Sequence, residues 1–449
     1  AAISAEGIFP ICQDTGTALI YGWLGSDISL ADDQDWESVF IEGIRDAYLT
    51  QGLRTSQLAP LSMLEERNTR DNLPAAICLR PVRGETLRLL CVAKGGGSTS
   101  RTSLTMESPA ILKPQTLRTR LEERIAALGA SGCPPYTIAV VLGGQTPSQT
   151  LLTAELAALG MFDSLPDHAE ADGMPVRSRE WEAIIAEIAA KTGIGAQWGG
   201  RHMAVQVRAI RLARHAANLP LAVAVSCAAN RHVRIMVHAD GWYIERLADA
   251  ADALHGLSTT LAGTMPVLAA TEVTIQKDST AWLDVLRSLP AGTIVRLSGP
   301  VLVARDAAHA RVLAMLEKQG SMPEWFKGLP VFYAGPTEAK QGRRSGAFGP
   351  TTASRMDSYL SPFMEHGASL VSIGKGGRSE TARAAIARHR GIYLAAPGGA
   401  AALTADRWIR SVHTIQFEDL GMEALRIAEL DGLPALIAID AQGRDFYAR

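Results

Sequence analysis

Five cysteines spread across 449 residues set the first limit on what this chain can fold into. They are Cys12, Cys78, Cys91, Cys133 and Cys227. An odd number at such wide spacing is no disulfide framework, so hydrophobic cores have to hold the fold. The length exceeds one ordinary core, and two or three domains are expected. Three of the cysteines stand in unusual surroundings: Ile11-Cys12-Gln13-Asp14-Thr15-Gly16-Thr17, Gly132-Cys133-Pro134-Pro135-Tyr136 and Ser226-Cys227-Ala228-Ala229-Asn230-Arg231. Each adjoins Pro, Gly or polar groups at the end of an expected element. Such thiols could hold an iron–sulfur cluster by three corners, or they could be small buried hydrophobes. No Cys-x-x-Cys run decides between the two, and closed zinc sites usually want four ligands. Cys78 and Cys91 lie inside apolar runs and read as buried structural thiols.

Composition closes off other classes. Hydrophobic residues make up 47% and charged residues 20%, which describes a soluble globular chain. The formal charge of −2 argues against a nucleic-acid surface built on bulk positive charge. No apolar run is long enough to span a membrane, and Ala1 to Gly7 carry no signal-peptide pattern. Together with the unpaired thiols, this makes the cytoplasm the expected location. The chain does not begin with Met, so a preceding segment is expected.

The pattern predicts a helix over Asp35–Leu53, then strands over Ala75–Arg80 and Thr86–Ala93. Helices are expected over Pro114–Leu128, Leu151–Leu159 and Arg179–Ala190, and a buried strand over Tyr136–Leu142. His202–Val237 reads as strands, and Asp249–Thr264 as a weak Ala/Leu-rich region. Beyond Pro290 short α/β units follow. Strands are expected at Thr293–Leu297, Pro300–Val303, Leu329–Tyr333 and Ser369–Ile373, and helices at Ala307–Lys318, Thr351–Phe363 and Ser379–His389. The fold class is therefore mixed α/β, with one domain over residues 1–270, a linker over 271–284 and a second domain over 285–449.

Several constellations could carry chemistry. Asp14-Thr15-Gly16 matches an aspartic-protease loop, but the second carboxylate loop that such enzymes need is absent. Lys94-Gly95-Gly96-Gly97-Ser98 is glycine-rich; its lysine precedes the glycines, so it is no Walker A, and a plain turn is the bland alternative. Gly349-Pro350-Thr351-Thr352 resembles a helix start that would present N–H donors, hydroxyls and Arg355 together. Arg305 and Lys375 each end an expected strand, where ligands of α/β domains commonly bind. Each cation alone is a solvated charge; the group suggests an anionic substrate with more than one carboxylate.

Read together and in order, these blocks resemble the iron–sulfur-dependent class I fumarate hydratase family. The resemblance covers nearly the whole chain. It rests on Pro10-Ile11-Cys12-Gln13-Asp14-Thr15-Gly16-Thr17, Ala93-Lys94-Gly95-Gly96-Gly97-Ser98 and Cys133-Pro134-Pro135-Tyr136. Further along, it rests on Ala334-Gly335-Pro336, Phe348-Gly349-Pro350-Thr351-Thr352-Ala353, Arg355-Met356-Asp357-Ser358-Tyr359 and Leu420-Gly421-Met422-Glu423-Ala424. It implies a two-domain architecture: an N-terminal cluster-binding domain and a smaller C-terminal α/β domain, with the substrate in the cleft. It implies a [4Fe–4S] cluster on Cys12, Cys133 and Cys227, with Thr351 as base assisted by Asp14. Implied substrate contacts are Gln13, Arg54, Gly97, His215, Arg305, Thr352, Arg355 and Lys375. The implied partners are a small dicarboxylate and a second copy of the chain, with no nucleic acid and no membrane.

The sequence departs from the family pattern at Ser98-Thr99-Ser100-Arg101-Thr102, where Ser-Ala-Asn-Lys-Thr is common. It departs at Cys227-Ala228-Ala229-Asn230-Arg231, where Cys-Ser-Ala-Asp-Arg is common, and at Gly377, where Asn is common. Loss of an amide at Ser100 and Gly377 could reshape the pocket. Hydration of fumarate to (S)-malate is the first expectation, and hydration of mesaconate to (S)-citramalate the alternative. Tartrate dehydration and a non-catalytic iron–sulfur sensor are the remaining readings.

Overall fold

The computed structural model describes residues 2–31, 34–247 and 269–448. The Asp249–Thr264 region lies outside the described residues. Three large sheets form the framework. The first has the order Gly241–Ile244, His232–His238, Leu87–Lys94, Thr17–Gly25, Ala76–Val82. The second runs Ser103–Glu107, Leu219–Ser226, Tyr136–Gly144, Ala204–Arg214, Val176–Arg177. The third runs Thr271–Thr274, Ile294–Val303, Val331–Phe332, Val371–Gly374, Ile392–Ala395, Leu425–Ile439, Ile409–Gln416.

In the second sheet both central strands are buried on both faces, so they read as continuous apolar runs rather than alternating ones. Helices Pro114–Ala126 and Arg179–Lys191 cover one face through Leu121, Ile125, Ile185 and Ile188. Pro147–Ala158 covers the other face with alanines, which let it sit close. In the third sheet the Leu425–Ile439 strand also pairs with Ile294–Val303, so five strands close on one another and leave no central edge. Its core is continuous from Val273 to Ala441.

Register places the loops. Thr17 faces Lys94 across an antiparallel pair, so the loop holding Cys12 and Asp14 and the loop holding Gly95 to Gly97 lie at one end of the first sheet. Ser226 faces Thr137, so Cys227 and Cys133 leave the same end of the second, and the Ala228 N–H donates to the Cys133 carbonyl at 3.1 Å. In the third sheet four neighbouring strands run parallel. Their carboxyl ends lead directly into Arg305, Tyr333, Lys375 and Gly398. That is the end where ligands sit in open α/β sheets.

Four expectations need correcting. Residues 271–284, expected as a linker, hold an edge strand and the start of the Ala281–Ser288 helix, with Val273, Trp282 and Leu283 in the core. Thr293–Leu297 and Pro300–Val303 are one strand with an irregularity at Gly299; φ there is +108°, and a Cβ would lie 2.3 Å from the Ile275 carbonyl oxygen. The Thr351–Phe363 helix begins later, as a 3₁₀ turn over Ala353–Met356 followed by Asp357–Glu365. Bridges from Ala334 to Pro350 and from Thr352 to Lys375 keep the segment around Thr351 extended. Cys78 is exposed, because the Ala76–Val82 strand is a sheet edge.

One side chain fastens the two halves of the chain together. Gln197 is 7% exposed. Its Nε2 donates to the Pro134 carbonyl at 3.0 Å and to the Gly398 carbonyl at 2.9 Å, and its Oε1 accepts from the Gly398 N–H at 2.7 Å. Its backbone is held at φ +96°, a conformation that persists in a non-glycine residue only where surroundings over-determine it. Replacing Gln197 by Ala would leave two carbonyls and one N–H dry, each costing about 1–3 kcal/mol. Gln197→Ala is expected to lower the denaturant midpoint and split unfolding into two calorimetric steps. A single transition at the wild-type midpoint would contradict this.

Candidate active site

The loop of Cys12 to Gly16 is pinned from below. The Tyr48 hydroxyl donates to the Gly16 carbonyl at 2.8 Å, and Asn72 Nδ2 donates to the same oxygen at 3.0 Å. Gly16 has φ +92°, and a Cβ there would lie 2.8 Å from the Ala93 backbone. Only glycine lets the loop press onto the neighbouring strand. The loop thus presents Asp14 to three donors. Arg54 Nη2 lies 3.2 Å from Oδ1, the Gly96 N–H donates to Oδ2 at 2.9 Å, and the Gly16 N–H donates to Oδ1 at 3.2 Å. Burial alone would raise the Asp14 pKa; Arg54, the Gly96 N–H, Arg231 and Lys375 overcome it and hold the carboxyl below its ordinary range. Arg231 also donates to the Asp14 carbonyl at 2.7 Å.

The C-terminal half supplies the opposing wall. Arg305 is 6% exposed. Its Nε donates to Asp306 Oδ2 at 3.1 Å, and its Nη2 lies 3.2 Å from Glu423 Oε1. Arg355 approaches the same Asp306 at 2.8 Å but is half exposed. Burial works against ionised Asp306, yet the two arginines hold its carboxyl below the usual range. Thr351 is buried, its N–H donates to the Tyr333 carbonyl at 2.6 Å, and among the described residues its hydroxyl has no partner.

The two walls meet at three places. Gln13 Nε2 donates to the Pro350 carbonyl at 3.2 Å, Arg54 Nη1 donates to the Gly335 carbonyl at 2.9 Å, and the Thr352 hydroxyl donates to the Ser131 carbonyl at 3.4 Å. A Cβ on Gly349 would lie 2.4 Å from Gln13 Oε1, and one on Gly335 would lie 2.9 Å from Arg305 Cδ. Lys375 bridges the cleft, its Nζ 2.6 Å from Cys133 Sγ. Burial would lower the Lys375 pKa; Cys133, Cys12 and Asp14 raise it above its ordinary value. A Cβ on Gly97 would lie 3.2 Å from that Nζ, so the glycine leaves the ammonium room.

The three cysteines have the donor chemistry of an iron–sulfur cluster, and the loops of Cys133 and Cys227 are joined by the Ala228 N–H to Cys133 carbonyl bond. Cys12 and Cys133 are buried, and Cys227 is half-buried beside them. Burial, then Asp14 and Cys133, push Cys12 up to about 11, so a metal has to displace its proton. A Cβ on Gly398 would lie 2.5 Å from Cys133 Sγ, so the glycine keeps the space beside that sulfur open. The Ser226 hydroxyl, next to Cys227, is buried with no partner among the described residues. No group of three or more His, Cys, Asp or Glu among the described residues converges on a single ion. A cubane spreads its cysteines further apart than one ion does, because each sulfur binds a different iron.

One expected contact lies elsewhere. His215 is exposed and follows the Ala204–Arg214 strand, which runs parallel to Tyr136–Gly144 and pairs Arg214 with Gly144. Cys133 sits at the opposite end of that strand, roughly 25–30 Å away at ordinary strand rise. Sequence reasoning assigned no role to Arg231, Asp306 or Glu423, although each lies in or beside a quoted block. Gln197 and Gly398 carried no signal, since nothing local marks a residue whose partners are about 200 positions away.

Residues 1–236 match the family model described as fumarate hydratase, and residues 248–449 match the one described as the fumarase C-terminus. Fumarate hydratase 2 of Leishmania major is 41% identical over 100% of this chain and 78% of its own length. The anaerobic class I fumarate hydratase of Escherichia coli strain K12 is 38% identical over 99% of this chain and 80% of its own. A putative L(+)-tartrate dehydratase beta subunit of Methanocaldococcus jannaschii is 32% identical over 36% of this chain.

His309 offers a test of the wall behind Arg305. It is 1% exposed among Phe326, Tyr333, Tyr359 and Phe363. Its Nδ1 lies 2.9 Å from the Arg305 carbonyl, which only accepts, so that nitrogen carries the proton. Burial lowers its pKa to about 4. Between pH 4 and the ordinary histidine value of about 6.5, the unfolded chain binds the proton and the folded chain does not. Stability from this group is complete above that window, falls as pH drops through it, and is exhausted below it. His309→Gln keeps a donor and cannot titrate; its stability should be flatter than wild type across the window, measured by denaturant midpoints. Parallel pH profiles for the two proteins would refute the assignment.

Proposed function

The chain belongs to the class I fumarate hydratase family and is a lyase of that type, and from this premise we propose that it interconverts fumarate and (S)-malate in the cleft between Asp14 and Thr351. The observation that carries this reading is the charge of the cleft. Among the described residues these cations, Arg54, Arg231, Arg305, Arg355 and Lys375, meet the carboxylates of Asp14, Asp306 and Glu423, with Cys133 and Cys12 beside Lys375. The cations outnumber the carboxylates, and a dicarboxylate would supply the difference.

Cys12, Cys133 and Cys227 would hold a [4Fe–4S] cluster, which when bound supplies a Lewis acid for the hydroxyl that adds or leaves. The remaining steps belong to side chains. Arg305, Arg355 and Lys375 clamp the carboxylates and stabilise the charge that develops when the adjacent carbon loses its proton. Thr351 Oγ exchanges that proton: it gives it to carbon on hydration and takes it back on dehydration. A threonine hydroxyl is a poor base in water, and buried neighbours of positive charge make its alkoxide less costly. Asp14, held ionised by Arg54 and Gly96, is the acceptor next to it in this reading. Gln13 fixes the loop against Pro350 and keeps water out of the wall.

Free thiols, two of them buried at the cleft, support a reducing compartment and the cytoplasmic reading. Mesaconate differs from fumarate by one methyl group, worth about 1–3 kcal/mol in a pocket, so activity on both substrates fits the same cleft. A homodimer reconciles the distant His215 with its implied substrate contact: in a two-fold pair, the far end of one sheet can face the partner's cleft.

Protein reconstituted anaerobically with iron and sulfide should hydrate fumarate; inactivity on both fumarate and mesaconate with iron fully loaded would sink the hydratase reading. Thr351→Val should lower kcat by about 10²–10⁴ with little change in KM, while Thr351→Ser retains most activity. Equal kcat in the Val variant and wild type would remove Thr351 from the proton transfer. Co-refolding His215→Ala chains with Thr351→Val chains should restore about a quarter of wild-type activity if His215 acts across the dimer. No recovery above the separate variants would place its action within one chain or nowhere.

A further inference from the structure

Arg305 follows the Ile294–Val303 strand and stands at the N-cap of the 14-residue Asp306–Gln319 helix. An arginine side chain only donates, so it cannot accept from the helix's first N–H groups, and no side-chain hydrogen bond caps the helix from that position. Glu423 supplies an acceptor from the Glu418–Glu423 turn. Its Oε2 accepts from the Ala307 N–H at 2.8 Å, and its Oε1 lies 3.2 Å from Arg305 Nη2. One carboxylate thus serves both the helix end and the cation beside it.

The turn that carries Glu423 is itself held. Arg426 Nη1 donates to the Met422 carbonyl at 2.8 Å and to the Ala424 carbonyl at 3.1 Å, one residue to either side. The Glu423 side chain is 18% exposed, so little water competes for Arg305. Asp306 takes the Arg305 Nε at 3.1 Å, but it shares its charge with Arg355. Together the two carboxylates engage Nε and Nη2 and leave Nη1 to neither. Gly335 keeps space beside that nitrogen, since a Cβ there would lie 3.1 Å from it.

We propose that Glu423 is a positioning residue for substrate binding: it holds the Arg305 guanidinium so that Nη1 meets a carboxylate of the dicarboxylate. The inference rests on the reading of Arg305 as a carboxylate clamp. An arginine fixed beforehand has already lost the rotamer freedom that a loose one gives up on binding. The charge of Glu423 works the other way, because a carboxylate near an anion repels it. If charge and helix capping were all that Glu423 contributed, its neutralisation would tighten the grip on a dianion. If it aims Arg305, neutralisation loosens that grip.

Calorimetric titration of the anaerobically reconstituted enzyme with succinate separates these two signs. Glu423→Gln keeps an acceptor for the Ala307 N–H and loses the charge. It should bind succinate about tenfold more weakly than wild type, with the denaturant midpoint near the wild-type value. Arg305→Gln should weaken binding at least as much. Adding Glu423→Gln to Arg305→Gln should cost no more than about a further twofold, because nothing is left to aim. Succinate is not hydrated, so the measurement does not depend on turnover: inactivity on fumarate with these succinate results counts against the hydratase reading alone. Glu423→Gln binding succinate as tightly as wild type or tighter, independent losses that multiply in the double variant, or wild type that takes up no succinate would each overturn the proposal.

Discussion

Burying cations where the two halves of the chain meet is the constraint around which this molecule is arranged. Arg54, Arg305 and Lys375 are each less than 10% exposed, and desolvation penalises every one of them. The fold offsets part of this locally: Asp14 answers Arg54, and Asp306 and Glu423 answer Arg305. Arg231 and Lys375 add their positive charge beside Asp14 and help to keep it ionised.

Holding these charges in place requires both halves of the chain. The N-terminal sheets deliver Asp14, Gly97, Cys133 and Cys227 from shared sheet ends, and the C-terminal sheet delivers Arg305 and Lys375 from the carboxyl ends of parallel strands, with Thr351 bridged in beside Tyr333. Gln197 fastens the Pro134 turn to Gly398, and Gly398 in turn touches Cys133. The loop carrying one thiol is thus braced by the domain that carries the cations. Glycines recur at these meetings because backbone, not side chain, makes the closest contacts there.

Much of the site could be read from residue order. Gln13, Asp14, Thr351 and Lys375 stand in quoted blocks with glycine, Arg305 at the end of an expected strand, and Arg54 came with the family resemblance; in the structure Gln13 meets Pro350 next to Thr351, and Asp14 pairs with Arg54. Helices over Trp36–Thr50 and Arg179–Lys191 followed from their apolar spacing. The 15-residue strand Leu425–Ile439, which closes the C-terminal sheet, escaped notice. Its ends pair with different neighbours, so no single alternation runs through it. Thr351 was read as a helix start because Pro and Thr favour one; the bridge to Lys375 overrode that local preference.

By itself, the sequence determined the family, the mixed α/β class and the polar, cationic blocks that line the cleft. These depend on residue identity and short-range order, which a linear chain carries in full. Only the tertiary structure decided which carboxylate answers which arginine, that Gln197 fastens the halves, and that His215 stands a sheet's length from Cys133. Each of these is a relation between residues tens to hundreds of positions apart. Strand register and burial set such distances, and the cost of burying an unpaired charge or donor then selects the partner.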